Sequence, residues 1–311
     1  MRRDTHPSSI NKGGPTTPLS RMRVARFKCS NGTGYGFVMG EEIVPAEGLG
    51  LDLPHDLFEL ISSERLMDEN FRSELERAVG SHRGGLRETD VRLLSPIPRP
   101  GKLICLGKNY FEHVQESGSR PPEGLVIFMK PATAVTGPYD EILYPSVTSQ
   151  LDYEGELAVV LGKRCKGTSM DEAMETVLGY MVMNDVSARD LQFRDGQWTR
   201  GKGCDTFAPT GPYITMASEV PDPHELRLRT WVNGELRQDS NTGKMIRRIP
   251  EVISILSQGM TLEPGDIIAT GTPGGVGYYW RPEPRLLKVG DRVRVQVEKI
   301  GAIENIVSRG P

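Results

Sequence analysis

Cysteine is scarce and scattered in this sequence. The four cysteines stand at positions 29, 105, 165 and 204, and no two of them have the Cys-x-x-Cys spacing of a zinc knuckle or a redox pair. Isolated thiols in a long chain are typical of a reducing compartment, so we expect unpaired cysteines and a cytoplasmic protein.

Long apolar runs and an excess of one charge are also missing. No apolar stretch approaches the roughly 20 residues that a membrane-spanning helix needs. Lys and Arg total 38 against 41 Asp and Glu, a formal net charge of −3. We therefore expect neither a nucleic-acid partner nor a membrane surface. Residues 1–21 are polar, lack the apolar stretch of a signal peptide, and predict a flexible tail.

The remaining sequence predicts two domains. Residues 22–97 combine alternating strand patterns with helical spacing over residues 54–79, which predicts a small α+β domain. A proline-rich segment then places the boundary near Pro98. Residues 98–311 are rich in strand signals, and their helices are marked by a capping box at Ser169 and by Pro250. The predicted fold class is therefore α+β and mostly β.

Carboxylates cluster in the segment 151–161, which predicts one strand. Side chains alternate along a strand, so Asp152, Glu154 and Glu156 would share a face, and three like charges there favour a bound cation. Asp185 ends another apolar strand and could complete a site of hard oxygen ligands. The alternative is the solvated face of an edge strand, which two-residue spacing alone does not exclude.

His113 stands apart from the other four histidines because it follows a predicted strand. In a helix, Glu116 would face it from one turn away, and a carboxylate beside an imidazole raises its basicity. An incidental pair on a surface helix is the alternative.

Two lysines and a glycine-rich segment are further candidates. Lys130 follows a strand, and glycines flank Lys202, so either could bind a carboxylate or stabilise an enolate unless it is a solvated surface charge. Residues 271–277 lack the Gly-Lys-Ser/Thr of a phosphate loop, and we interpret them as a backbone cradle for a small carboxylate or as a plain flexible loop.

Six motifs occur in an order that resembles the fumarylacetoacetate hydrolase family. They are Asn109-Tyr110-x-x-His113-x-x-Glu116, Phe128-Met129-Lys130-Pro131, Asp152-Tyr153-Glu154-Gly155-Glu156-Leu157, Asn184-Asp185-Val186-Ser187-Ala188-Arg189-Asp190, Gly201-Lys202-Gly203-x-Asp205-Thr206 and Gly271-Thr272-Pro273. The resemblance covers residues 101–306. It implies a mixed β-roll or sandwich catalytic domain that forms a homodimer. The N-terminal part resembles the small extra domain of bacterial 2-hydroxyhepta-2,4-diene-1,7-dioate isomerases.

The resemblance also implies the roles of individual residues. Glu154, Glu156 and Asp185 match the family's Mg²⁺ or Mn²⁺ site, where a crystal could also hold Ca²⁺. The remaining matches are a catalytic dyad of His113 and Glu116, a catalytic Lys202, and the substrate-binding residues Lys130, Arg189, Gln192 and Thr272. For the acids and for His113, the ordered motifs favour the functional interpretation over the alternatives given above.

The function implied is a divalent-metal-dependent enzyme for small 2-oxo or enol carboxylates. C–C hydrolysis of an acylpyruvate resembling fumarylpyruvate, through a metal-stabilised enolate, is the favoured reaction because the dyad can activate water. Decarboxylation of oxaloacetate, or dienedioate isomerisation in aromatic-acid catabolism, is the alternative. A non-catalytic carboxylate-binding protein is the alternative from another class.

Overall fold

The computed structural model describes residues 22–310, so the predicted flexible tail at residues 1–21 lies outside the described part of the chain. Most of the regular structure is β, and the prediction of a mostly β fold with mixed sheets is confirmed. The helices are α1 (Leu57–Ser62), α2 (Glu69–Ser81), α3 (Phe111–Glu116), α4 (Met170–Ala173), α5 (Arg189–Asp195), α6 (Thr199–Lys202) and α7 (Ile249–Gly259).

The strands form a large sheet, a five-stranded sheet and a two-stranded ribbon. They are β1 (Arg23–Cys29), β2 (Gly32–Met39), β3 (Glu42–Pro45), β4 (Leu86–Arg87), β5 (Arg92–Leu94), β6 (Leu103–Gly107), β7 (Val126–Lys130), β8 (Val135–Thr136), β9 (Ile142–Tyr144), β10 (Leu151–Asp152), β11 (Gly155–Leu161), β12 (Val177–Asn184), β13 (Ser187–Ala188), β14 (Ala208–Met216), β15 (Arg227–Val232), β16 (Glu235–Asn241), β17 (Ile267–Ala269), β18 (Arg292–Val297) and β19 (Gly301–Arg309).

The large sheet runs β4-β3-β2-β1-β14-β12-β11-β17-β6-β7, with β5 beside β1 and β8 beside β14. Most neighbours are antiparallel, but β17 pairs parallel with β6, and β14 pairs parallel with β8. The five-stranded sheet has the order β16-β15-β18-β19-β9 and also contains one parallel pair, β19 with β9. Because β1 pairs with β14, the N-terminal strands continue the sheet of the C-terminal part. The division into domains at residues 22–97 and 98–311 stays a prediction.

The core lies where β11 and β12 face the five-stranded sheet. Every residue of both strands is buried, which explains their apolar, β-branched sequences. The sheets approach closely at Gly155, where an added Cβ would lie 2.3 Å from Oγ1 of Thr230. The acidic residues described below lie at the start of β11 and directly after the end of β12.

The segment 151–161 is not one strand as predicted. β10 pairs with β13, whereas β11 pairs with β12, so the chain changes partner strands at Tyr153 and Glu154. The alternative of a solvated edge strand is also wrong, because Asp152, Glu154 and Glu156 are all buried. The carboxylates therefore do not share a face through simple alternation.

Two predicted helices are shorter than their sequence patterns indicate. The side chain of Asp68 caps a new helix, so the segment 54–79 forms α1 and α2 instead of one helix. The capping box at Ser169 is present, but the helix that it opens ends at Ala173, and strand β12 begins at Val177 and contains Gly179. A Cβ at Gly179 would lie 2.2 Å from the carbonyl oxygen of Thr215, so this glycine permits close strand pairing.

Candidate active site

Three buried carboxylates meet at the ends of β11 and β12. Glu154 precedes β11, Glu156 lies within it, and Asp185 follows β12. One oxygen from each residue lies within 4.8 Å of the others. Buried carboxylates this close require compensating positive charge. The structure thus brings together the three residues that the sequence predicts as metal ligands.

Two buried lysines supply part of that charge. Nζ of Lys202 lies 2.8 Å from Oε2 of Glu154 and 2.7 Å from Oδ2 of Asp185. Nζ of Lys130 donates to Oδ1 of Asp185 and, at 3.0 Å, to the carbonyl of Val186. Although burial favours the neutral amine, Asp185 and Glu154 raise the pKa of Lys202, so this ammonium keeps its proton.

Arg189 at the start of α5 joins two carboxylates. Its Nε lies 2.9 Å from Oδ2 of Asp152, and its Nη1 lies 2.5 Å from Oε1 of Glu154. Although burial opposes ionisation, Lys202 and Arg189 hold the pKa of Glu154 below its ordinary value. Asp152 also accepts hydrogen bonds from the backbone N–H groups of residues 277 and 278, at 2.8 and 3.0 Å. Both of its carboxylate oxygens are therefore bonded to other parts of the protein.

Glu156 forms no ion pair with a cation in the described part of the chain. Its Oε2 accepts the N–H of Gly271 at 2.8 Å, but within residues 22–310 its buried Oε1 has no hydrogen-bond partner. Burial, followed by repulsion from Asp185 and Glu154, raises the pKa of Glu156 well above its usual range. An orphaned carboxylate oxygen beside two further carboxylates fits a hard divalent cation such as Mg²⁺ or Mn²⁺.

Helix α3 positions the predicted dyad. Nδ1 of His113 lies 2.7 Å from Oε1 of Glu116, one helical turn later. The other oxygen of Glu116 accepts the backbone N–H of Gly275 at 2.7 Å. One turn earlier in the helix, Glu112 accepts a hydrogen bond from Oγ of Ser240 at 2.6 Å. α3 is therefore bonded both to the glycine-rich loop and to strand β16.

A narrow cavity of about 40 Å³ connects the dyad with the acidic cluster. The predicted site residues on its wall are His113, Glu154, Arg189, Gln192, Lys202 and Thr272. Its apolar wall includes Phe128, Trp198 and Tyr279. Lys130 is not on this wall, because its ammonium lies against Asp185 in the interior. The cavity joins groups that can hold a cation to a group that can move a proton.

Gln238 on β16 is a site residue that the sequence does not predict. Its amide donates to Oγ1 of Thr272 at 2.8 Å and accepts the N–H of Gly155 at 2.9 Å. Thr272 in turn donates to the carbonyl of Gly155 at 3.0 Å. A single glutamine on a hairpin strand carries no local signal, because only the packing of the two sheets brings it here.

The glycine-rich segment 271–277 is a backbone cradle, but for carboxylates of the protein itself. Its N–H groups bind Glu156 through Gly271, Glu116 through Gly275 and Asp152 through residue 277. These three N–H groups already have protein partners, so they are not available to a substrate carboxylate.

Residues 102–308 match the family model described as fumarylacetoacetate (FAA) hydrolase C-terminal. The chain belongs to the fumarylacetoacetate hydrolase family. This range agrees with the extent of the resemblance in the sequence. Members of the family are enzymes, and the chain is one. Within residues 22–310, no helix has the length and apolar character needed to cross a membrane.

Two similar proteins of this family are named oxaloacetate tautomerases. Mitochondrial oxaloacetate tautomerase FAHD2B of Bos taurus is 40% identical over 94% of both chains. Oxaloacetate tautomerase YisK of Bacillus subtilis is 48% identical over 70% of this chain and 73% of its own.

Two solved structures have the same fold. A fumarylacetoacetate hydrolase from Exiguobacterium antarcticum is 37% identical, with a TM-score of 0.79, and covers 93% of this chain and 100% of its own. Maleylpyruvate hydrolase from Sphingobium sp. SYK-6 is 35% identical, with a TM-score of 0.77, over the same shares of the two chains.

Proposed function

We propose that this enzyme interconverts the keto and enol forms of oxaloacetate or a closely related 2-oxo dicarboxylate. The observation that carries the proposal is that one cavity is lined by His113, by Glu154 of the acidic cluster and by Lys202. The similarity to proteins named oxaloacetate tautomerase, which extends over 94% of the chain, supports the choice of substrate.

Glu154, Glu156 and Asp185 would hold a divalent cation, and Glu156 contributes the oxygen that has no partner within residues 22–310. Mg²⁺ or Mn²⁺ would supply a fixed positive charge that favours the negative charge of an enolate. Lys202, which keeps its proton, donates a hydrogen bond to the 2-oxo oxygen from the same end of the cavity.

The reaction moves one proton from C3 to the 2-oxo oxygen, or back. Nε2 of His113, the ring nitrogen that does not face Glu116, accepts the C3 proton and then returns it to the substrate at the 2-oxo oxygen. Glu116 holds the ring through Nδ1 and stabilises its positive charge after proton transfer. Arg189, Gln192 and Thr272 lie on the wall of the cavity and orient the substrate carboxylate.

Hydrolysis of an acylpyruvate is the second candidate, and the same His113–Glu116 pair favours it. A dyad that accepts a proton from C3 can also accept one from water, and water attack on a 4-oxo carbon then breaks the C3–C4 bond. The structural likeness to maleylpyruvate hydrolase supports this candidate. Decarboxylation of oxaloacetate and isomerisation of the dienedioate would likewise place negative charge on the 2-oxo oxygen of an enolate.

A substrate panel distinguishes these reactions. Enol-oxaloacetate, fumarylpyruvate and 2-hydroxyhepta-2,4-diene-1,7-dioate are each supplied with Mg²⁺ or Mn²⁺, and NMR identifies the products. We expect rapid loss of the oxaloacetate enol signal without release of carbon dioxide. Cleavage of fumarylpyruvate without acceleration of oxaloacetate tautomerisation would establish the hydrolase instead. Undiminished turnover in metal-free buffer would contradict the metal assignment.

We also propose a cytoplasmic homodimer, as the sequence and the family resemblance imply. Size-exclusion chromatography with light scattering tests the dimer. Fractionation of cells that express the chain tests the location.

A further inference from the structure

Gln238 on β16 is buried between two parts of the candidate site, with only 1% of its surface exposed. It does not belong to the cavity wall that the described residues form, so it acts on a substrate only through the residues to which it bonds. A buried amide must satisfy its polar groups inside the protein. The hydrogen bonds of Gln238 therefore show which parts of the site it holds.

The acceptor side of Gln238 holds the strand that carries two of the proposed cation ligands. Its Oε1 accepts the N–H of Gly155 at 2.9 Å, and Gly155 stands between Glu154 and Glu156. The preceding N–H, that of Glu154, is bound by Oδ1 of Asn184 at 3.0 Å. Because the chain changes partner strands here, side chains supply these bonds. Loss of the Gln238 amide would remove the acceptor of a buried N–H group between the two ligands.

The donor side of Gln238 holds the glycine-rich segment 271–277. Its Nε2 donates to Oγ1 of Thr272 at 2.8 Å and to the carbonyl of Pro273 at 3.0 Å. Two residues after Pro273, the N–H of Gly275 bonds to Glu116 of the dyad at 2.7 Å. The amide therefore fixes the segment that supports the carboxylate of the dyad.

We infer that Gln238 is a positioning residue that couples the cation site to the catalytic dyad. It fixes the strand of Glu154 and Glu156 relative to the loop that holds Glu116, so loss of the amide should disturb both parts of the site. The inference rests on the proposed function for the bound cation and for the role of the dyad. The competing interpretation is that Gln238 only joins the two sheets and contributes to stability alone.

Two substitutions separate the bridging amide from the bulk of the side chain. Gln238→Met keeps the length of the side chain but has no N–H donor and only a weak acceptor. Gln238→Asn keeps the amide but is one methylene shorter, so it reaches only one side at a time. Gln296→Met is the matched control, because Gln296 is half-buried on β18 of the same five-stranded sheet.

Two measurements on the full chain require no turnover. Calorimetry gives the affinity for Mn²⁺, and hydrogen exchange followed by mass spectrometry gives the exchange rates of the backbone amides in residues 271–277. In addition, kcat and KM at saturating Mn²⁺ are measured for whichever substrate of the panel turns over.

We expect Gln238→Met to weaken Mn²⁺ binding about tenfold, as is typical when a group behind a metal ligand is lost. Exchange should accelerate in residues 271–277 while the amides of β18 keep their rates. At saturating Mn²⁺, kcat should fall about tenfold, more than KM rises. Gln238→Asn should lose Mn²⁺ affinity or protection of residues 271–277, and Gln296→Met should lose neither.

A change in only one of the two turnover-free measurements for Gln238→Met, or in neither, would overturn the coupling. So would exchange that accelerates equally throughout both sheets, which is the result expected of a purely stabilising residue. If Gln238→Met does not fold, Gln238→Asn decides, and full retention of both properties by that variant would overturn the inference. If both properties depend on Gln238 but no substrate of the panel turns over, the proposed reaction fails and the coupling stands.

Discussion

Glu116 accepts the backbone N–H of Gly275 at 2.7 Å while its other oxygen faces His113 at 2.7 Å. The glycine-rich loop therefore holds the carboxylate that orients the imidazole. The carbonyl of Gly275 is itself fixed, because it accepts the hydroxyl of Tyr153 at 2.9 Å. The dyad thus depends on a loop about 160 residues away in the sequence as well as on its own helix.

Gly275→Ala should damage both activity and stability. The φ of Gly275 is +101°, and an added Cβ would lie 2.2 Å from the carbonyl oxygen of Arg237. Strain of this kind costs about 2 kcal/mol, and displacement of the loop should lower kcat at least about tenfold. Urea unfolding and oxaloacetate turnover measure the two effects. Gly259→Ala is the control, because a Cβ there meets nothing within 4 Å. Equal behaviour of the two variants would disprove the role of Gly275.

His113→Ala should separate metal binding from proton transfer. The imidazole does not belong to the carboxylate cluster, so Mg²⁺ or Mn²⁺ affinity should stay the same. Loss of a general base lowers kcat by about 100-fold or more. Calorimetry measures the metal affinity, and decay of enol-oxaloacetate measures kcat. His55→Ala is the control, since His55 is exposed and distant in sequence. Unchanged turnover would remove His113 from the mechanism.

The sequence predicts which carboxylates matter but not how they meet. Alternation places Asp152, Glu154 and Glu156 on one face, yet the chain changes partner strands after β10, and Asp152 turns to Arg189 and the loop. The ordered family motifs, and not the two-residue spacing, distinguish Glu154 and Glu156 from Asp152. Local patterns succeed where one element decides the outcome, as in the capping box at Ser169.

The partners that complete the site come from long-range packing. Gly275 reaches Glu116 and Gln238 reaches Thr272 only because the two sheets and the loop fold together. No local composition or periodicity encodes such contacts, so the sequence predicts the dyad and the acidic cluster without their supports.

Glu154→Gln and Glu156→Gln should have opposite effects on the stability of the metal-free protein. Glu154 is paired with Lys202 and Arg189, and its neutralisation leaves buried positive charge that costs about 3 kcal/mol. For Glu156, burial and repulsion from Asp185 and Glu154 outweigh the attraction of Lys202, so its amide analogue should be as stable as the original or more stable. Both variants should lose metal binding.

Chemical unfolding in the presence of a chelator measures these stabilities, and calorimetry measures metal binding. The two substitutions are matched in chemistry and lie two residues apart, so each is the control for the other. A comparable loss of stability in both variants would show that Lys202 and Arg189 do not discriminate between the two carboxylates.

His224 should make stability depend on pH. Its buried Nε2 accepts the N–H of Ile249 at the start of α7, at 3.1 Å, which requires the unprotonated nitrogen. Burial, aided by Arg248 and opposed by Asp222, lowers the pKa of His224 in the folded protein. The unfolded chain therefore binds a proton more readily, from about pH 6.5 downwards. The stability contributed by His224 is present above that pH and is lost as the pH falls through the folded pKa.

Urea unfolding at pH 7.5 and pH 5.5 measures this loss. Other groups titrate in the same interval, so the informative quantity is the difference between the original protein and His224→Gln, which has no imidazole to protonate. We expect the variant to lose less stability between the two pH values, while His55→Gln, at an exposed position, should behave like the original. If His224→Gln and the original protein lose equal stability on acidification, protonation of His224 is not what weakens the start of α7.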